Sequence, residues 1–308
     1  HRTLFRPGFA IQARELTQLQ STLQNQIEKH GSHVFKEGAV VIPGAVHINT
    51  KYHSLKLAST FASETIDPSQ YFNATTPVTI TGATTGVSAV VIGFDVATTT
   101  DQPTLYLRYL NSGTDNVTNV FADGENISSD AGVTHTTAYS SNAASATTFT
   151  SQFSAAAGSS AANLASSSGP ASRRGSAFHI EAGVYYVRGF FVTCAEETLV
   201  LDKYDNTPSY RIGFTVTESL VTPESDTTLL DNATGSSNFA AKGAHRLKIA
   251  LALGKLDRGS TADSSFIDLM DVKEGVVQHY TRQTEYAVLE ETFARRTFDF
   301  YIFFLFQR

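Results

Sequence analysis

The sequence predicts a mainly β chain built of several modules, with a long α-helix near the N-terminus and a short helix near the C-terminus. Three observations predict it. Runs of Val, Ile, Thr, Tyr and Phe with loose period-two alternation recur through much of the 308 residues, the mark of half-buried strands. Charged residues make up only 17%, against about 25% in an average soluble chain. Ser, Thr, Ala, Asn and Gly fill that deficit, and they suit turns and repetitive surface better than helical bundles. Helical spacing is clear in two stretches, 7–30 and 284–297.

The first helix is the better defined. Pro7 stands at its expected start, where a missing N–H costs nothing. Ala10 to His30 holds neither Gly nor Pro, and Gly31 supplies a stop. Such a helix would run roughly 30 Å. Phe9, Leu16, Leu19 and Leu23 fall at heptad-like spacing, with Ile27 one residue past the next expected position. Gln12, Gln18, Gln20, Gln24 and Gln26 lie among them. Two readings stay open: a short parallel coiled coil about an oligomer axis, or an amphipathic helix lying on its own β-domain.

Residues 33–60 read as short strands between Gly38, Pro43 and Gly44, and 1–60 as one part of an assembly core. Residues 65–130 read as an inserted small β-module, with strands at Val78–Gly82, Val87–Phe94 and Thr104–Leu110 and a turn at Asp123-Gly124-Glu125-Asn126. Residues 131–177 are a Ser/Ala/Thr-rich linker or loop, too poor in apolar groups for a core of their own. Within it Ala155–Ser168 could become helical against a neighbour, and Arg173-Arg174 sits in the flexible part. Residues 178–308 return to dense strand formers and complete the core. There Leu247, Ile249, Leu251 and Leu253 alternate with Lys248, Ala250 and Ala252, which gives one apolar face. In the second helix Tyr286, Leu289 and Phe293 share a face. The aromatic run Phe300–Phe306 reads as a strand whose partners lie outside this sequence, and the chain as the ordered part of something longer.

Chemistry is hard to find. A net charge of −6 argues against a general grip on nucleic acid or anionic lipid, and no segment reaches the ~18 apolar residues of a membrane span. The lone Cys194 allows neither an intrachain disulfide nor a cysteine zinc site, and reads as a buried thiol. His30 and His33, or His47 and His53, are too few to converge on a metal. No Gly-x-Ser-x-Gly elbow and no phosphate-binding glycine loop occur. Paired carboxylates for glycoside cleavage could be drawn from Glu218, Glu224 and Asp226, but Thr222-Pro223-Glu224-Ser225-Asp226 reads more simply as an exposed turn. No catalytic residue, cofactor or metal is expected. The remaining signal is aromatic. Tyr185, Tyr186, Phe190 and Phe191 put large groups on both faces of what reads as one strand, so both faces need cover. With Leu16, Leu19, Leu23 and Ile27 they form the candidate oligomer and assembly interface.

Three stretches carry a resemblance. Leu4-Phe5-Arg6-Pro7-Gly8-Phe9-Ala10-Ile11-Gln12-Ala13-Arg14-Glu15-Leu16 continues to His33-Val34-Phe35-Lys36-Glu37-Gly38. Val187-Arg188-Gly189-Phe190-Phe191-Val192 is the second. Thr222-Pro223-Glu224-Ser225-Asp226, Leu229-Leu230-Asp231-Asn232-Ala233 and Gly243-Ala244-His245-Arg246-Leu247-Lys248-Ile249 make the third. Together with Ala294-Arg295-Arg296-Thr297-Phe298-Asp299 they resemble a domain of uncharacterised function in virion structural proteins of tailed phages, found among tail, baseplate and fibre proteins. The pattern is lost after Asp299. The resemblance implies a structural part of a phage tail or baseplate, assembled in the bacterial cytoplasm and carried in the virion. It implies no catalytic residue. The expected partners are further copies of the chain, with a homotrimer expected by analogy to phage fibres, and neighbouring tail or baseplate proteins. An alternative is a receptor-binding fibre whose 65–130 module touches host-surface glycan, and a third reading is a cell-wall or capsule hydrolase.

Overall fold

In the computed structural model the described residues are 3–5, 7–42, 44–58, 60–61, 64–99, 101–130, 148–151, 170–261, 264–280 and 287–306. The protein is mainly β, with one helix near each end. In chain order the elements are α1 (Ala13–Gly31), β1 (Val40–Ile42), β2 (Val46–Lys56), β3 (Thr60–Phe61), β4 (Glu64–Thr65), β5 (Thr79–Gly82), β6 (Ser88–Asp95), β7 (Thr104–Tyr109), β8 (Glu125–Ser129) and β9 (Thr148–Ser151). There follow β10 (Ser172–Ile180), β11 (Gly183–Val187), β12 (Phe190–Cys194), β13 (Glu197–Asp202), β14 (Tyr210–Val221), β15 (Arg246–Asp257), β16 (Phe266–Lys273), β17 (Val276–Tyr280) and α2 (Ala287–Phe306).

The strands assemble as an eight-stranded sheet in the order β13-β10-β2-β7-β6-β5-β8-β9, a four-stranded sheet β15-β14-β16-β17, a three-stranded sheet β1-β11-β12 and the short pair β3-β4. The chain divides into two units. One takes His1–His47, His179–Leu199 and Ser209–Arg308, the other Ile48–Phe178 and Val200–Pro208.

In the second unit the strands expected within 65–130 are present, and they share a sheet with β2 and β10. Leu55, Leu57, Ile80, Leu105, Phe121 and Ile127 lie in one buried cluster. The expected Asp123–Asn126 turn is shorter than the sequence suggested: Asp123 and Gly124 turn, and Glu125 already opens β8. Glu125 is 4% exposed, yet its carboxylate is fully engaged. Oε1 accepts from the Thr84 and Thr85 amides (2.8 and 2.6 Å) and the Thr85 hydroxyl (2.9 Å), and Oε2 from the Ala122 amide (2.9 Å). One buried charge thus ties the β5–β6 turn to the entry of β8.

The linker expectation is corrected at its C-terminal end. Ser172–Ala177 belong to β10, and Arg173 lies over the Tyr204 ring at 5.3 Å instead of in a flexible segment. Alternating Arg173, Gly175 and Ala177 with Ser172, Arg174 and Ser176 gave too weak an apolar signal to read as a strand. The helix suggested for Ala155–Ser168 lies outside the described residues.

Tyr52 and Tyr106 stack at 5.1 Å, and the Tyr106 hydroxyl donates to Asp95 at 2.5 Å. Burial, helped by the nearby Asp95 charge, pushes the Tyr52 hydroxyl up to about 12. Burial likewise raises Tyr106, Tyr109 and Tyr204. The sign follows from linkage. Unfolded tyrosines ionise near pH 10 while these stay protonated in the fold, so their contribution is intact below pH ~10 and is lost as pH climbs through the raised values. We expect an alkaline titration followed at the phenolate absorbance band to show a fraction of tyrosines silent until the far-UV β signal collapses above pH ~10. Smooth ionisation of every tyrosine with the fold intact would contradict it.

Candidate assembly surface

The candidate residues all fall in the first unit, and α1 sets their arrangement. The helix begins at Ala13 and not near Pro7. The Glu15 carboxylate accepts the Gln12 amide at 3.0 Å, closing the first turn from inside, while Pro7 and Gly8 form a separate turn. At 19 residues α1 is about 28 Å long. Phe9 lies outside the helix and is 67% exposed.

The later turns of α1 touch the body. Gln24 Nε2 donates to the Gly189 carbonyl (2.7 Å) and the Tyr186 hydroxyl to the Glu28 carbonyl (2.9 Å). Gly31, within the helix, lies flat against the Tyr186 ring, where an added Cβ would sit 2.5 Å from a ring carbon. The Leu16, Leu19, Leu23 and Ile27 side chains lie to one side of these contacts. They are 53, 36, 58 and 46% exposed. At 100° per residue they fall within an arc of about 80°, next to the docked side but separate from it. The helix therefore does not lie on its own β-domain by its apolar face: it docks on its own chain by a polar and glycine edge and leaves its leucine stripe outward.

The aromatic expectation needs correction. Residues 183–194 are a hairpin, not one strand, turning at Arg188 (φ 49°) and Gly189 (φ 80°) with Val187 opposite Phe190. Two successive positive φ angles are the two-residue turn that matches strand twist, and glycine takes its half without strain. The arginine's half is held by other bonds: its amide donates to Glu37 (2.8 Å) and its guanidinium to Glu218 (2.6 Å). Tyr185 and Tyr186 still face opposite ways, but this chain covers both. Tyr185 is fully buried, edge-on to Phe214 at 4.8 Å. Tyr186 is buried beneath α1 and beside Phe35. Phe190 is half-buried and Phe191 is 48% exposed, beside Phe35 at 5.8 Å. The tyrosines are thus anchors for α1 and the core, and Phe191 is the member that reaches solvent. The sequence did contain the signal, an Arg-Gly pair between two strand-like runs.

Strands β14 and β15 pair without a break from Tyr210↔Asp257 to Val221↔Arg246, whereas β16 follows β14 only to Thr215. Beyond Thr215 the two continue as a ribbon roughly 20 Å long. Its apolar face runs outward from Leu253 (8% exposed) to the opposed pair Leu247 (57%) and Leu220 (60%).

Helix α2 overturns the expected strand at its end. Phe300–Phe306 are helical, continuing the helix expected over 284–297. No Gly or Pro occurs after Gly275 to stop it. Residues 284–286 lie outside the described part. Glu291 pairs with Lys36, while Phe293, Phe298 and Phe300 are 63, 64 and 63% exposed.

The three carboxylates weighed for hydrolysis are each engaged. Glu218 binds Arg188, and Asp226 accepts from Thr228. Glu224 pairs with Lys242 at 2.6 Å, and that hydrogen bond holds its carboxyl down at about 2. A group so firmly ionised is a poor proton donor for glycoside cleavage. Cys194 is buried, and its thiol is pushed up by burial. His47 stacks on His179 at 4.8 Å. Among the described residues no three His, Cys, Asp or Glu side chains gather as a metal site, and no helix is long and apolar enough to cross a membrane.

Compared with known families, residues 168–301 match one model, described as a domain of unknown function (DUF4815). The match runs from the approach to β10 through the β14–β15 ribbon and into α2, and it omits α1. No curated protein and no solved structure gives a significant match.

Proposed function

We propose that this chain is a structural, self-associating component of a tailed-phage tail or baseplate, acting through preformed apolar surfaces and not through a reaction. One observation carries the reading. Leu16, Leu19, Leu23 and Ile27 form a single outward stripe on a helix whose docked edge is elsewhere. About half of each side chain is still open, so covering the rest contributes about 1 kcal/mol per residue, a drive to pair the stripe with an equivalent one. At 100° per residue Gln20 and Gln26 border the stripe, with Glu15 beside Gln26 and His30 between the leucines. The homotrimer and the virion location rest on the resemblance of the opening segment and of the stretches after residue 187 to phage virion proteins.

Light scattering coupled to size-exclusion chromatography of the full chain tests it. The chain is expected to run as a trimer at micromolar concentration. The double variant Leu16→Asp, Leu23→Asp is expected to weaken association at least about a hundredfold, with unchanged circular dichroism. A wild-type monomer, or a variant that associates equally well, would refute the role of α1. Absence of the chain from purified phage particles would remove the virion location.

A further inference from the structure

Lys56 closes β2 inside the second unit, and its side chain is fully buried. Its Nζ lies 3.8 Å from Oδ1 of Asp101 and 3.9 Å from the centre of the Tyr204 ring. Asp101 is held from several sides. The Tyr204 hydroxyl reaches both carboxylate oxygens (2.7 and 2.8 Å), Lys203 Nζ reaches Oδ2 (3.2 Å), and the Gln102 amide donates to Oδ1 (3.0 Å). Thr104 Oγ1 in turn lies 3.0 Å from the Tyr204 hydroxyl. The ladder fixes both ends, because Lys56 is registered opposite Thr104 of β7, three residues beyond Asp101.

From this geometry we propose that Lys56 and Asp101 join in an intramolecular isopeptide bond, formed by the folded chain itself. Starting from ammonium and carboxylate, one proton passes from Nζ to the carboxyl group. The neutral amine then attacks Cγ, forming the N–C bond. The developing oxyanion sits among the Tyr204 hydroxyl, the Lys203 ammonium and the Gln102 amide. A second proton leaves nitrogen for the departing hydroxyl as the C–O bond breaks. The products are one amide and one water, with no change in net charge and no external reagent.

Three features favour this pair. The amine stands 3.8 Å from Oδ1, beside the carbon it would attack, and the fold has already removed its freedom. Desolvation by burial lowers the Lys56 amine to about 8, so a neutral fraction is present at neutral pH. Lys203, the competing amine, is partly exposed and bound to Asp95 at 2.9 Å as well as to Asp101, and those carboxylates raise it. It stays an ammonium and serves as the cation of the site. The bond would clasp the end of β2 to the β6–β7 loop and enclose β3 to β6, a covalent reinforcement suited to a load-bearing protein. It stands or falls apart from the assembly role of α1.

The intact mass of the purified, folded full-length chain tests this. It is expected to fall below the sequence mass by one water, and digestion is expected to yield a branched peptide joining Lys56 to Asp101. Lys56→Arg, which keeps the charge but cannot form the bond, is expected to restore the full mass. Asp101→Asn is expected to lose one ammonia from its own sequence mass. The unmodified mass in wild-type protein held folded at pH 8–9 would overturn the proposal whatever the variants do. So would a branch at Lys203, or a water loss that persists in Lys56→Arg and so marks a succinimide at Asp101.

Discussion

Replacing Glu125 with alanine is expected to destabilise the second unit by about 4 kcal/mol, near the top of the range for single substitutions. The carboxylate is buried and accepts from three backbone amides and a hydroxyl. Hydrogen bonds to a charged group contribute about 1.5–3 kcal/mol each, and a buried donor left without an acceptor costs about 1–3 kcal/mol. The bonds share one side chain and are not additive, which keeps the whole below their sum. For a unit of this size the loss corresponds to roughly 10 °C in Tm. Glu125→Gln is expected to fall between. Its oxygen can keep the Thr84 and Thr85 contacts, but its amino group then faces the Ala122 N–H, donor against donor. Thermal melts rank the three proteins, and hydrogen exchange should report earliest loss of protection at Thr84, Thr85 and Ala122. Equal stability of wild type and Glu125→Ala would mean that the turns hold without the carboxylate.

Gly213→Ala is the second large effect, expected in the four-stranded sheet of the first unit. A Cβ at this position would sit 1.9 Å from the Ile267 carbonyl oxygen and 2.8 Å from its carbon. Both atoms are backbone, so no rotamer relieves the clash. Gly213 lies where the β14–β16 register shifts, between Ile212↔Met270 and Gly213↔Asp268, and a glycine at such a bulge lets the strands come closer than any side chain permits. The strands must part, at about 3 kcal/mol or more, the upper end for overpacking. Phe214 adjoins this position, so the edge-on packing of Tyr185 is expected to loosen with it, read as a loss of near-UV circular dichroism before global unfolding. A crystal structure of the variant with β14 and β16 still in register would refute the argument.

These examples mark what was legible in the sequence. Val78–Gly82, Val87–Phe94 and Thr104–Leu110 were readable because Val and Thr alternate with the pleat, and period two is a local property. The Leu247–Leu253 alternation gave the apolar face of β15 correctly. It could not give the gradient along that face, because burial depends on where β16 stops pairing. Capping at α1 was misplaced by the Pro7–Gly8 signal, when Gln12 and Glu15 made the actual start. The tyrosines of β11 were recognised as needing cover on both faces. Their cover, α1 and β14, is distant in sequence, so periodicity could not choose between self and neighbour. Least legible were Glu125 and Lys56. Little that is local distinguishes a buried charge from a solvated one, since most of the donors to Glu125, and the carboxylate beside Lys56, come from residues tens of positions away.

The anchoring of α1 also has a consequence for synthesis. Gln24 and Glu28 meet partners 165 and 158 residues further along the chain. At about 5–20 residues per second, the ribosome needs roughly ten to thirty seconds to deliver the hairpin after the helix has emerged. Throughout that interval the leucines are outside the ribosome while the polypeptide that will seat the helix is still unmade. On a crowded messenger the nascent helices of successive copies wait side by side, so meeting one another can precede the completion of any single chain.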